Sequence, residues 1–108
     1  MITMDDFLRV ELRAGTIVRA ERFPEARNPS YKLWVDIGED RPRTSSAQIT
    51  DLYDVDALVG RQVLCVTNFP PRQIGPFMSE ILVTGFHTEQ GVVLASVERA
   101  VKNGTLLR

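Results

Sequence analysis

Tyr31-Lys32-Leu33-Trp34-Val35-Asp36-Ile37-Gly38 is the stretch that decides the fold. Leu33, Val35 and Ile37 alternate with Lys32, Trp34 and Asp36, and this period of two sends one set of side chains to each face of a strand. An apolar set against a polar set is the signature of an antiparallel sheet that covers a core on one side only.

Upstream, about Val10 to Phe23 is expected to be one long strand. Leu12, Ala14 and Thr16 share a parity, and Gly15 interrupts it where a barrel strand must bend. The residues Glu25-Ala26-Arg27-Asn28-Pro29-Ser30 are loop chemistry. Before all this, Thr3-Met4-Asp5-Asp6-Phe7-Leu8 begins with a capping residue followed by acids, which suits a short helix.

Downstream, Glu39-Asp40-Arg41-Pro42 turns the chain into a short polar strand, Arg43 to Ala47. Leu52, Val55 and Leu58 stand near helical spacing, so Ile49 to Leu58 is read as a short helix or helical turns. Arg61 to Phe69 carries Val63, Leu64, Cys65 and Val66 and reads as a buried strand. Ile81 to Thr84 and Val92 to Ala95 are expected to pair antiparallel through a turn around His87 to Gly91. Strand, strand, strand, short helix, strand, strand, with extensions at both ends, describes an all-β fold. The arrangement expected is a five-stranded Greek-key barrel of the oligonucleotide/oligosaccharide-binding (OB) type, with one domain over residues 1–108.

With 108 residues, 44% hydrophobic and 25% charged, the chain has the composition of one ordinary globular domain. No window approaches the ~20 consecutive apolar residues of a membrane span. The N-terminus is acidic where a secretory signal would be basic. Cys65 is the single cysteine, so no intrachain disulfide can form. These features predict a cytoplasmic protein without membrane insertion. The net charge of −1 counts against general phosphate gripping, which needs a Lys or Arg at each phosphate. A local basic patch remains compatible with that sum.

Catalytic constellations are missing. His87 is the only histidine and sits in turn-like sequence, where a surface role is the ordinary one. Cys65 lies within an apolar strand and behaves there as a small hydrophobe. One Cys and one His cannot make a usual zinc site. Asp51, Asp54 and Asp56 read as a solvated helical face, and no glycine loop cradles phosphates. The expectation is a non-enzymatic protein with no cofactor and no metal.

Several separated motifs carry a resemblance. Leu12-Arg13-Ala14-Gly15-Thr16-Ile17, Pro24-Glu25-Ala26-Arg27 and Tyr31 to Gly38 together resemble the tRNA-binding domain family. Ser45-Ser46-Ala47-Gln48-Ile49-Thr50 and Asn68-Phe69-Pro70-Pro71-Arg72-Gln73-Ile74 are similar to its CsaA group of secretion chaperones, and Asn103-Gly104-Thr105 extends the likeness almost to the end. The resemblance implies the OB fold and a homodimer built largely from the terminal extensions. It implies as partners unfolded or presequence-bearing polypeptides and the export machinery, with tRNA as the alternative. Between Asn68 and the Ser79-Glu80 pair, RNA-binding relatives tend to carry a basic loop. This chain has Gln73, Gly75, Pro76, Phe77 and Met78 there, with Arg72 the only charge. Fewer cations mean fewer phosphate contacts, whereas Phe69, Phe77 and the adaptable Met78 offer apolar area.

The candidate peptide- or RNA-binding residues are Lys32, Trp34, Ser45, Ser46, Gln48, Asn68, Phe69, Arg72, Phe77, Met78 and Ser79. Each has a plainer alternative. Trp34 is either an anchor on the outer face or packed under a neighbouring loop or in the dimer contact. Asn68-Phe69-Pro70-Pro71 is either a groove rim or a stiff connection. Arg72 either meets a ligand or makes a surface ion pair. Ser45, Ser46 and Gln48 either hydrogen-bond a ligand or, for the serines, cap a helix.

Overall fold

The computed structural model describes all 108 residues, Met1–Arg108. Its elements in chain order are α1 (Met4–Leu8), β1 (Leu12–Arg22), β2 (Tyr31–Asp36), β3 (Arg43–Ala47), a 3-10 turn (Val55–Ala57) and β4 (Gln62–Val66). β5 (Arg72–Ile74), β6 (Phe77–Ser79), β7 (Leu82–Val83), β8 (Gly85–Thr88) and β9 (Gly91–Leu94) complete it.

The alternation in Tyr31–Asp36 works as read: Leu33, Val35 and the following Ile37 are buried, while Lys32, Trp34 and Asp36 stay half-exposed on the other face. Strand order is β3-β2-β1-β4-β7. The two ends of that sheet meet, because the N–H groups of Glu80 and Ile81 both donate to the Thr44 carbonyl (2.8 and 3.1 Å). Five strands thus form a nearly closed OB barrel around Ile17, Leu33, Val35, Leu58, Val63 and Cys65, all fully buried. Each such aliphatic side chain contributes about 1.5–3 kcal/mol by leaving water. Gly15 sits beneath β2, where a Cβ would lie 2.6 Å from Val35 Cγ1, so the close crossing of β1 and β2 needs a residue without one.

The helix expected at the start is α1. Its Thr3 Oγ1 accepts from the Asp6 N–H (3.2 Å) and the Thr3 N–H donates to Asp6 Oδ2 (2.9 Å), a reciprocal cap. Between β3 and β4 the chain makes only the Val55–Ala57 turn. Leu58 is buried there, but Leu52 is exposed and Asp51, Asp54 and Asp56 face solvent.

One pairing differs from expectation. Ile81 to Thr84 does not pair along Val92 to Ala95. β7 instead joins β4 (Cys65 opposite Val83), and β8 pairs with β9 (Phe86 opposite Val93). The turn at Glu89-Gln90 is two residues long, and a turn of fixed length fixes the register beside it. Thr88 then meets Gly91, so Thr84 reaches Ala95 alone, through the Ala95 N–H (3.1 Å).

Past the end of β2, the first half of β1 gains another neighbour. The Gly104 N–H donates to Ala14 O (2.7 Å), the Ala14 N–H to Thr105 O (3.0 Å) and the Leu107 N–H to Leu12 O (2.8 Å). The C-terminal segment therefore lies along β1 as an added strand.

Candidate functional site

The outer face of β1, β2 and β3 is built by register. Arg19 stands opposite Trp34, and Glu21 opposite Lys32. On the other side of β2, Trp34 stands opposite Thr44 and Lys32 opposite Ser46. Opposed residues share a face, so Arg19, Glu21, Lys32, Trp34, Thr44 and Ser46 form one continuous patch outside the barrel.

A β-bulge brings the β1 residues onto that patch. Ile17 points into the core, and strict alternation would send Arg19, Glu21 and Phe23 inward after it. The register shifts between Ile17 and Arg19, with Val18 as the extra, exposed residue. One extra residue moves all that follows to the opposite face. Sequence reasoning missed Arg19 and Phe23 for this reason.

Over the patch lies the β5–β6 hairpin, which the sequence presented as a loop. Its Phe77 ring meets Trp34 (centroids 5.7 Å, planes at 70°) and Phe23 (5.5 Å, 71°), both edge to face. Lys32 Nζ lies 5.4 Å from the Phe23 ring centre and 5.9 Å from that of Phe77. The Arg19 guanidinium covers Trp34 at 4.4 Å from the ring centre. Both cations also meet one carboxylate: Arg19 Nε donates to Glu21 Oε2 (2.7 Å), and Lys32 Nζ is 3.7 Å from Glu21 Oε1.

Three polar contacts tie the hairpin to the edge of β3. The Ser46 N–H donates to Ser79 Oγ (3.0 Å), Thr44 Oγ1 donates to Met78 O (2.7 Å), and the Thr44 N–H donates to Glu80 Oε1 (3.1 Å). Arg41 grips the same Glu80 carboxylate with both terminal nitrogens (2.9 and 2.6 Å). The Arg41 guanidinium and the Thr44 donors hold the Glu80 carboxyl down at about 2, against the partial burial that would raise it. Arg43 lies between Glu39 (3.5 Å) and Glu80 (4.0 Å).

The structure brings together Lys32, Trp34, Ser46, Phe77 and Ser79, whereas the Met78 side chain is exposed on the other face of the hairpin and only its carbonyl reaches Thr44. Arg72 joins them as the residue opposite Ser79 in the hairpin, and it makes no ion pair. Trp34 is half-buried under Phe77 and Arg19, so packing under a neighbouring element describes it. Gln48 is exposed just beyond β3. Phe69, 54% exposed, lies in the connection ahead of the hairpin.

Two candidates stand apart from the face. Ser45 points inward opposite Leu33 and is 1% exposed, so its hydroxyl faces the core. Nor does it cap a helix, because the helical turn that follows, Val55–Ala57, has Asp54 at its N-cap. Asn68 is occupied elsewhere: its Oδ1 accepts from the Glu11 N–H (2.9 Å) and its Nδ2 donates to Arg9 O (2.8 Å), fastening the segment after α1. Cys65 is sealed in the core, where burial pushes its thiol up to about 12. No group of His, Cys, Asp and Glu has a metal-holding arrangement.

An aromatic outer face on β1–β3, bordered by the β1–β2 loop and the β5–β6 hairpin, is where OB barrels carry ligands. The family described as "Putative tRNA binding domain" matches residues 12–106. The chain belongs to the tRNA-binding domain family, in its CsaA group. The solved chaperone CsaA of Bacillus anthracis is 42% identical with a TM-score of 0.92, covering 100% of this chain and 99% of its own. The CsaA chaperone protein of Picrophilus torridus is 39% identical with a TM-score of 0.94, covering 100% of both chains. Among curated relatives, the methionine–tRNA ligase of Rhodopirellula baltica is 43% identical over 83 residues, which are 77% of this chain and 12% of that enzyme. That of Methanocella arvoryzae is 31% identical over 107 residues, 99% of this chain and 15% of the enzyme. The chain therefore spans a small fraction of the ligases it matches. No helix is long and apolar enough to cross a membrane.

Proposed function

We propose that this protein is a non-catalytic, chaperone-like binder of unfolded or extended polypeptide segments, acting in protein export. The observation that carries the reading is the state of the cations on the outer face. On that face Arg19 and Lys32 converge on Glu21 and on ring faces, and at the hairpin root, off the face, Arg41 and Arg43 converge on Glu80. Cations already engaged by a carboxylate or a ring release fewer counterions from a nucleic acid than free ones and give it less salt-dependent affinity. What the face and its hairpin offer instead is aromatic area at Trp34 and Phe77, with Met78 exposed on the other side of the hairpin and Phe69 exposed in the connection before it. Likeness to two CsaA chaperones over their whole lengths supports the same reading.

The protein acts as a homodimer in this reading. Exposed Met1, Ile2, Met4, Leu8 and Val10 near one end, and Val101 and Leu107 near the other, supply apolar surface that a second copy would cover. Two linked faces would bind one extended client more tightly than either alone. The test is suppression of aggregation of a chemically unfolded client, with the oligomeric state followed by sedimentation. An activity retained in high salt supports the proposal, and a protein that neither protects the client nor binds extended peptides refutes it.

A second reading, structure-dependent tRNA binding, is favoured by a different observation. Arg22, Arg27 and Arg72 stand on segments bordering the face, and none makes an ion pair. Binding of folded tRNA that weakens steeply with salt, and that falls on replacing these arginines, would favour it over the first.

A further inference from the structure

The β5–β6 hairpin has three residues in each strand, too little to hold a position by itself. Its polar attachments to the barrel all come from β6 and the residue after it. β5 leads in from Pro70-Pro71 and makes none to the barrel. The hairpin is thus an arm fixed at one root. At that root stands Glu80, 16% exposed, its two oxygens shared between the Arg41 fork and the Thr44 N–H and hydroxyl.

The aromatic contacts lie one turn of pleat away. Phe77 opens β6, three residues before Glu80, and its ring is the piece that touches both Phe23 and Trp34. A displacement at the root therefore moves the ring that covers Trp34. Arg41 is itself 65% exposed and takes no part in the core, so its fork has another use than filling space. A bidentate guanidinium–carboxylate pair fixes direction as well as distance, which a single-point contact does not.

We propose that the Glu80–Arg41 pair is a positioning latch for the binding face, holding the hairpin so that Phe77 stays wedged between Phe23 and Trp34. Glu80 and Arg41 are positioning residues in this account and touch no ligand. The inference rests on the outer face being the binding surface. The latch itself is a property of the free protein and is read without any ligand.

The experiment compares wild type, Glu80→Gln, Arg41→Lys and, as a control, Glu39→Gln, whose solvent-exposed carboxylate pairs with Arg43 and hydrogen-bonds neither Glu80 nor Arg41. Trp34, the only tryptophan, reports the hairpin through its emission and through acrylamide quenching. Both latch variants are expected to red-shift the emission and raise quenching while far-ultraviolet circular dichroism keeps the native β signal. Affinity for an extended apolar peptide is expected to fall about tenfold, as for loss of one charge-assisted pair. Combining the two substitutions should cost little more than Glu80→Gln alone, because the Arg41 fork has already lost its carboxylate there. Glu39→Gln should leave the emission unchanged. Arg41→Lys lies on the surface and keeps its charge, so it stays readable if Glu80→Gln does not fold. Native-like variants whose Trp34 emission and quenching match wild type would overturn the latch. A red shift in a protein that binds no peptide would uphold the latch and refute the peptide reading.

Discussion

Phe77 meets Trp34 edge to face at a centroid distance of 5.7 Å, joining the tip of a small hairpin to the middle of a barrel strand. The same ring meets Phe23 from the end of β1. One side chain thus connects three segments that the sequence keeps well apart.

Removing that ring tests the cluster. Phe77→Ala should destabilise the protein by about 1–2 kcal/mol, since a half-buried aromatic and two edge contacts are lost. Trp34 emission should shift to the red. Arg19→Ala should uncover Trp34 to quenchers yet change stability by no more than about 1 kcal/mol, because exposed ion pairs and cation–π contacts are weak. Thermal melts with acrylamide quenching check both.

Acid sensitivity follows from Glu80. Its folded carboxyl sits at about 2 against an ordinary 4.5, so the folded state favours the ionised form. A depressed carboxylate contributes its full stability above about pH 4.5 and loses it as pH falls toward 2. The stability gap between wild type and Glu80→Gln should therefore be widest near neutrality and close across that window. Urea melts at a series of pH values measure it.

The clamp on β1 depends on backbone geometry. Gly104 has a φ of +93° and a Cβ there would lie 2.6 Å from Ile37 O, whereas Gly60 has a φ of +95° and open space around it. Gly60→Ala should cost about 1 kcal/mol for the left-handed backbone alone. Gly104→Ala adds a backbone clash and should cost about 3 kcal/mol. Equal losses in denaturant melts would show that the C-terminal segment is not pressed against Ile37.

Asn68 should behave as a fastener. Asn68→Ala removes both bonds to the segment after α1 and should cost about 1–2 kcal/mol. Amide exchange should quicken at Glu11 and through α1, with peptide binding unaffected. A loss of binding without faster exchange would return Asn68 to the site.

Much of the barrel was legible in local pattern. The alternation over Tyr31 to Ile37 named the core face of β2, the polar strand Arg43 to Ala47 had its observed bounds, and Thr3 with its following acids announced α1. What escaped is what local pattern does not encode. The bulge at Val18 carries no glycine or other marker in sequence, yet it turns Arg19 and Glu21 outward and leads Phe23 to its buried place against Phe77. Ser45 and Ser46 look alike in a polar strand, and only the register against β2 sends one to the core and the other to the face. Gly75-Pro76 lacks the Asn-Gly type of hairpin signal, so Arg72 to Ser79 read as a loop. The committed state of the cations was equally hidden, since Glu21 meets Lys32 only after β1 and β2 have paired.

The central claim is that an aromatic face, whose Arg19 and Lys32 are engaged by Glu21 and by ring faces, binds extended polypeptide. It is tested most directly by the fluorescence of Trp34 in parallel titrations with an unstructured apolar peptide and with folded tRNA, each at low and high salt. The account predicts a peptide-induced change that persists in high salt. A change seen only with tRNA and abolished by salt would contradict it.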